Sequence, residues 1–324
     1  MTTGASSNGR ILYLNHDNPN PSGGVRVIYS HVRHLVRNGF NAYVVHRQPG
    51  FRPPWFQEEV PVLYCDQQFR LFPDDLVVIP EDHRFFLELF KSAAVRKIVF
   101  CQSYLFVFDG LGSHDSWQSL GISGVIASSE VVANFVSSVL GWAEVPVVHC
   151  ALQPVLFVPR PKKLQVAYMP RKRPMEAEFI RQTCTRLIGS EFTLEWVAME
   201  QLPETSVAEV FADSALFLSL SRLEGFGLPP LEAMASGCVV VGFCGYGGRE
   251  YARPDNGYWC EEDDLVGCAR NLAWAARLLK NNSGETQRLV ESARATAAQY
   301  TAVRQEQELL QAIQCVMHMT QEGQ

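Results

Sequence analysis

The chain has 324 residues, of which 47% are apolar and 19% charged. This is the composition of a globular protein with two ordinary domains or one large one, and it excludes disordered and collagen-like classes. The formal net charge of −6 argues against a general nucleic-acid binder, which needs an excess of basic surface.

Residues 1–10 are small and polar, without the apolar stretch of a secretory signal. The apolar runs at 145–152 and 238–244 are short and fall well below the roughly 20 residues of a membrane span. A chain that is neither exported nor inserted is expected. The nine cysteines are odd in number and contain no CxxC pair, which predicts reduced core cysteines in a cytoplasmic protein. The eight histidines form no metal-spaced cluster, so no metal site is expected.

In chain order, Ile11–Leu14 reads as a buried strand, followed by an Asn-, Pro- and Gly-rich turn at 15–24. Residues 25–38 carry helical spacing, with Val25, Val27, Ile28, His31, Val32, Leu35 and Val36 mostly on one face. Gly39 ends that helix and 41–46 begins the next strand. Further strands are expected at 61–65, 75–80, 97–102 and 123–128, with helices at 84–94 and 129–140. Such alternation predicts a parallel sheet covered on both faces.

Around 153–163 the pattern stops in three prolines and a basic cluster, which reads as a linker. Alternation then restarts: strand 164–169, helix 175–188, strand 192–199, helix 205–212, strand 215–220, helix 230–236 and strand 238–243. From Asp264 the chain is strongly helical, and Leu309, Ile313, Val316 and Met317 make an apolar stripe on the last helix. The fold class expected is α/β, with an N-terminal Rossmann-like domain at 1–155, a linker at 156–163, a C-terminal Rossmann-like domain at 164–300 and a final helix at 301–324.

The most informative stretch follows the strand ending at Leu220. A loop holds Glu224, Gly225, Phe226, Gly227 and Leu228, and Pro229 and Pro230 then preset the first turn of a short helix. Ligands of parallel α/β sheets bind at the carboxyl ends of strands. Glycines allow close backbone approach there, and helix-start amides favour phosphate. Glu224 and Glu232 flank this anion site. Carboxylates beside phosphate are unfavourable unless hydroxyl-bearing groups lie between them, and a sugar nucleotide supplies those.

Glu224 and Glu232, with seven residues between them, resemble the double-glutamate motif of family-4 (group 1) retaining glycosyltransferases of the GT-B fold. Ser221, Gly225-Phe226-Gly227 and the run Glu232-Ala233-Met234-Ala235-Ser236-Gly237 agree with that motif. The following segment, with its Gly-rich turn before Glu250 and then Asn256-Gly257, is similar to the family's next segment. The resemblance covers roughly residues 164–312 well and the N-terminal half more loosely. It implies two Rossmann-like domains facing a central cleft, the donor mainly on the second and the acceptor mainly on the first. It also implies that the last helix returns to the first domain.

By the same resemblance, Glu224 binds the donor sugar near the reacting carbon and Glu232 the ribose hydroxyls. The backbone of Gly225, Phe226, Gly227 and Leu228 contacts sugar and pyrophosphate. A basic turn after the strand at 164–169 carries Arg171, Lys172 and Arg173, suited to the charge that grows on a leaving diphosphate. The family spaces an Arg and a Lys about five apart here, whereas this chain has three cations in a row. Arg171 and Lys172 are favoured for the ligand, and a solvated basic turn is the alternative.

In the first half, His16 precedes Gly23-Gly24 at the start of a helix, where the family keeps a glycine-rich loop near donor phosphate and acceptor. Gln102 stands where many relatives carry an active-site histidine, in a segment similar to that of rhamnosyltransferase-like branches. That departure removes an obvious general acid or base. His31, His34 and His149 read as structural histidines, and Trp55 as either an acceptor-stacking ring or a loop anchor.

The expected activity is a retaining hexosyl- or deoxyhexosyl-transfer from a nucleoside-diphosphate sugar to a glycan, lipid-linked or small-molecule acceptor. No cofactor beyond the co-substrate, no metal and no nucleic acid are expected, and a peripheral membrane contact is allowed. The alternatives are a non-catalytic GT-B-like scaffold subunit and a GT-B nucleotide-sugar epimerase.

Overall fold

The computed structural model describes residues 9–56, 59–153 and 156–318. They cluster into two compact units. One runs to Cys150 and takes in the residues from Gln305 onward; the other runs from Ala151 to Arg304.

The first unit is built on β1 (Ile11–Leu14), α1 (Gly23–Arg37), β2 (Ala42–His46), β3 (Val62–Tyr64), β4 (Leu76–Pro80), α2 (Arg84–Leu89), β5 (Arg96–Cys101), α3 (Val107–Leu111), β6 (Gly124–Ala127) and α4 (Glu130–Leu140). Its six strands lie in the order β3-β2-β1-β4-β5-β6, every pairing parallel. β1 sits between β2 and β4, so the chain crosses in opposite directions on its two sides and opens a crevice at the carboxyl ends. Strands β1 and β4 are buried along their whole length, because both sheet faces are covered and apolar residues are needed at every position.

Helix α1 buries Val25, Ile28, Val32 and Leu35 on the sheet, as the spacing predicts. Helix α2 stops five residues before the predicted end. There the Lys97 ammonium bonds the carbonyls of Phe90, Lys91 and Ala93 at 2.9–3.0 Å and draws them out of the helical ladder. Residues 145–150 do not continue as a strand beyond one bridge to Ala127, since Pro146 lacks the N–H that a ladder requires.

The second unit carries β7 (Lys163–Tyr168), α5 (Pro174–Ile188), β8 (Glu195–Ala198), α6 (Glu204–Asp213), β9 (Ser214–Ser221), α7 (Leu228–Ala235), β10 (Val239–Cys244), β11 (Tyr258–Trp259), α8 (Leu265–Lys280) and α9 (Gly284–Ala297). The strands are parallel in the order β11-β10-β9-β7-β8. Central β9 is buried at all eight positions. Its core joins Leu216, Leu218 and Leu220 to Ile180 of α5 and to Leu272 and Ala276 of α8.

The last helix, α10 (Ala302–His318), buries Leu309, Ile313 and Val316. From Gln305 it belongs to the first unit, held by polar contacts as well as by the apolar stripe. Glu306 accepts from Asn38 at 2.6 Å and pairs with His34 at 3.1 Å. Glu308 accepts the His149 backbone amide at 2.8 Å and pairs with its ring. His31 contacts the Tyr13 hydroxyl, and burial pushes its imidazole down to about 3. These three histidines are structural ties.

Candidate functional site

Each sheet ends in a polar cluster, and the residues singled out from the sequence lie in those two clusters. In the second unit, β9 delivers the chain to Ser221 in a buried, fixed direction, and the loop before α7 then turns on Gly227. Its φ of 89° caps the helix, in the left-handed region open mainly to glycine. An added Cβ there would stand 3.1 Å from the Tyr251 hydroxyl and 3.3 Å from Glu224 Oε2. The turn is pinned from outside. The Tyr251 hydroxyl donates to the Gly227 carbonyl at 2.5 Å, and the Gly247 amide donates to the Glu224 carbonyl at 2.9 Å. Phe226 is buried, with its ring edge-on to those of Tyr251 and Tyr300. Pro229 and Pro230 have no N–H, so Leu228 carries the first helical donor of α7.

The three adjacent cations of the basic turn have different surroundings. The turn is a 3-10 turn at Pro170–Lys172, directly after β7. Arg171 is exposed. The Lys172 ammonium lies 2.8 Å from Glu224 Oε1, with the carboxylate side chain 16% exposed and the lysine 40%. Arg173 is fully buried. Its guanidinium pairs with Glu262 and Asp263, donates to the Ser221 carbonyl at 3.3 Å and lies over the Phe243 ring at 4.6 Å. Neighbouring side chains leave a 3-10 turn in different directions, and the inward one is held by the tertiary partners of Arg173. Glu232 lies on α7 and is 5% exposed. Asn256 is wholly buried and its side chain makes four hydrogen bonds, with Arg253, Tyr251, Thr296 and Trp259, which tie the loop before β11.

In the first unit, His16 follows β1 and Gly23 and Gly24 open α1. Gln102 follows β5. A Cβ on Gly24 would stand 3.3 Å from both carboxamide heteroatoms of Gln102, so the two meet at the carboxyl edge of the sheet. His16 Nε2 lies 2.8 Å from Asp82 Oδ1, and its ring stacks on His83 at 4.3 Å and 9°. The His16 hydrogen bond, with the charges of His16 and His83, outweighs the upward push of burial and holds the Asp82 carboxyl low. Burial drives the His83 imidazole down to about 4. The loop bearing His16 is anchored by Asp17, which accepts from the Gln48 amide at 2.9 Å and pairs with His46 at 2.8 Å. Trp55 is half-buried and packs edge-on against Phe56.

Several residues of these clusters escaped the sequence reading: Tyr251, Glu262, Asp263, Glu81, Asp82 and His83. The run Pro80-Glu81-Asp82-His83 directly after an all-apolar strand was a usable signal, because polar residues gathered at a strand's carboxyl end mark the ligand edge of a parallel sheet. For Glu262 and Asp263 no local pattern exists; only the tertiary position of Arg173 gives them a partner.

Residues 198–296, which contain Glu224, Glu232 and all of α7, match the family model described as glycosyl transferases group 1. An alpha-1,6-glucosyltransferase of Actinobacillus pleuropneumoniae is 27% identical over 237 residues, covering 69% of this chain and 70% of that protein. Among solved structures, Anabaena HepE in complex with UDP-glucose is similar with a TM-score of 0.71 at 16% identity, over 94% of this chain and 99% of that one. Sucrose-phosphate synthase of Thermosynechococcus elongatus gives 0.68 at 12% identity, over 95% and 99%. At such identities the likeness concerns the fold, which is GT-B. The matched segment is thus similar to the group 1 glycosyltransferases, within a chain whose fold is that of GT-B proteins.

Proposed function

We propose that this chain is a glycosyltransferase that takes its sugar from a nucleoside-diphosphate donor, held by the second unit, and transfers it with retention of anomeric configuration. The observation that carries the reading is the Lys172–Glu224 pair at the head of α7. A cation for a diphosphate and an acceptor for sugar hydroxyls are adjacent, at the carboxyl end of the central strands of a parallel sheet. Retention is carried over from the double-glutamate resemblance. UDP-glucose is the first donor to try, since Anabaena HepE was solved with it.

In this mechanism the bond from the anomeric carbon to the diphosphate oxygen breaks, the acceptor hydroxyl oxygen bonds that carbon on the same face, and the hydroxyl proton passes to the departing diphosphate oxygen. Lys172 and Arg171 stabilise the charge that develops on the leaving diphosphate, together with the Leu228 amide and the positive end of α7. Glu224 accepts hydrogen bonds from hydroxyls of the reacting sugar, and Glu232 from the ribose. Arg173 works indirectly, tying the basic turn to the end of β9 through the Ser221 carbonyl. These fixed groups leave the diphosphate no need for a divalent ion. On the first unit, the exposed His16–Asp82 pair offers a donor and an acceptor to hydroxyls of a glycan, lipid-linked or small-molecule acceptor.

The test is nucleoside-diphosphate binding, measured by calorimetry across a salt series. Replacing Arg171 and Lys172 together with Ala should weaken UDP about tenfold to a hundredfold and flatten the salt dependence, as charge-assisted contacts are lost. Unchanged affinity would make the turn a solvated surface and remove the donor assignment.

A further inference from the structure

Glu81 is the one carboxylate of the first cluster that solvent scarcely reaches, at 3% exposure. It leaves the end of β4 and reaches across to the end of β5. There one carboxylate oxygen accepts the Gln102 amide at 2.9 Å and the other the Ser103 amide at 2.7 Å. The same turn is tied on its far side by the Ser128 hydroxyl, which donates to the Gln102 carbonyl at 3.1 Å. The Gln102 carboxamide is thereby laid against Gly24 at the head of α1.

We propose that Glu81 is a positioning residue of the transferase: by holding the two amides it fixes the turn that presents Gln102 beside the glycine-rich start of α1. This rests on the reading that the Gln102–Gly24 edge belongs to the working site. A carboxylate suits the task better than any neutral side chain, because both of its oxygens accept. A carboxylic acid or a carboxamide turns one of those positions into a donor facing a donor.

The surroundings make the arrangement sensitive to protonation. Burial, and next the charge of Asp82, push the Glu81 carboxyl up to about 8, with the two amides opposing them. The other titratable groups near it are His83 on the same loop, His16 stacked on His83, and Cys101 at the end of β5; Gly110 of α3 packs against its backbone. A Cβ on Gly110 would collide with the Glu81 carbonyl. As pH rises through about 8, Glu81 loses its proton and both amides acquire an ionised acceptor. The turn then tightens.

The test has two arms on the full chain. In the first, amide chemical shifts of Gln102 and Ser103 in the wild-type protein should step together as pH rises through about 8, and the step should vanish in Glu81→Gln. In the second, turnover of UDP-glucose, as transfer or as hydrolysis, is followed across the same range. Wild type should gain activity through the step. Glu81→Gln should stay at the low-pH level, about tenfold below the wild-type plateau, with its affinity for UDP unchanged.

Gln102 and Ser103 amide shifts that are the same in the wild type and in Glu81→Gln across the whole range overturn the proposal, since the carboxylate would then hold neither amide. An amide step accompanied by identical pH–rate profiles also overturns it, since the contact would then be structural only. A wild-type protein that turns over no nucleoside-diphosphate sugar would count against the functional reading, and the amide arm would still decide whether Glu81 holds the turn.

Discussion

Three cations stand in a row at 171, 172 and 173, and the structure gives each a different consequence for stability. Arg173→Ala removes a fully buried guanidinium. The Ser221 carbonyl loses its side-chain donor, which costs about 1–3 kcal/mol for a buried group left unpaired. The stacking on Phe243 contributes about 0.5–2 kcal/mol, and the volume of the stem is left empty. The full penalty of a broken buried ion pair does not apply, because Glu262 and Asp263 are 49% and 80% exposed and rehydrate. A loss of about 3–4 kcal/mol is expected, which for cooperative unfolding of a chain of this size lowers Tm by roughly 4–6 °C. Arg173→Met should recover at least half of that, since its chain refills the space and its sulfur sits well against an aromatic ring. Arg171→Ala, at an exposed position, should stay within about 0.5 kcal/mol of wild type, and Lys172→Ala within about 1 kcal/mol. Thermal and urea denaturation of the four variants measure this directly. Equal midpoints for Arg173→Ala and Arg171→Ala would refute the argument, because the buried contacts would then carry no energy.

The two glutamates should separate kinetically. Glu224→Gln should lower mainly kcat, because its hydrogen bonds strengthen as positive charge builds on the sugar ring, while free UDP binds almost as before. Glu232→Gln should weaken free UDP by about 1–3 kcal/mol; identical profiles for two folded variants would cancel the division of roles. Turnover should also survive EDTA, since fixed cations and helix amides are assigned the diphosphate charge. Complete loss restored by magnesium or manganese would show that they are insufficient.

The sheets were legible because their signal is dense. Runs such as Leu76–Pro80 and Ser214–Ser221 are apolar or small at nearly every position, as burial on both faces demands, and turn residues bound them. Boundaries failed where a distant group intervened. The end of α2 is set by Lys97, which lies beyond the helix in sequence, and no periodicity within 84–94 could register it. β11 is two residues long and exists as a strand only through its pairing with Val241 and Gly242. Such a strand has no pattern of its own to read.

The site divides along a similar line. The loop and helix that carry Glu224 and Glu232 were readable because their geometry depends on local order: strand end, glycine at a left-handed position, prolines at a helix start. The basic turn was readable as a charge cluster, while the direction of each side chain was not. Three consecutive cations offer no local reason for Arg173 to turn inward. Its reason is the carbonyl that ends β9, 48 residues away, with the Phe243 ring beneath it. Lys172 has the converse history. In the chain it is one more surface lysine, and it gains a partner only because the loop after β9 brings Glu224 to 2.8 Å. A donor diphosphate would have to compete with that carboxylate for the ammonium. The pair is partly exposed and therefore worth little by itself, so the exchange is cheap. On the proposed donor assignment, Glu224 would be released toward a sugar at the same step in which Lys172 turns to the phosphates.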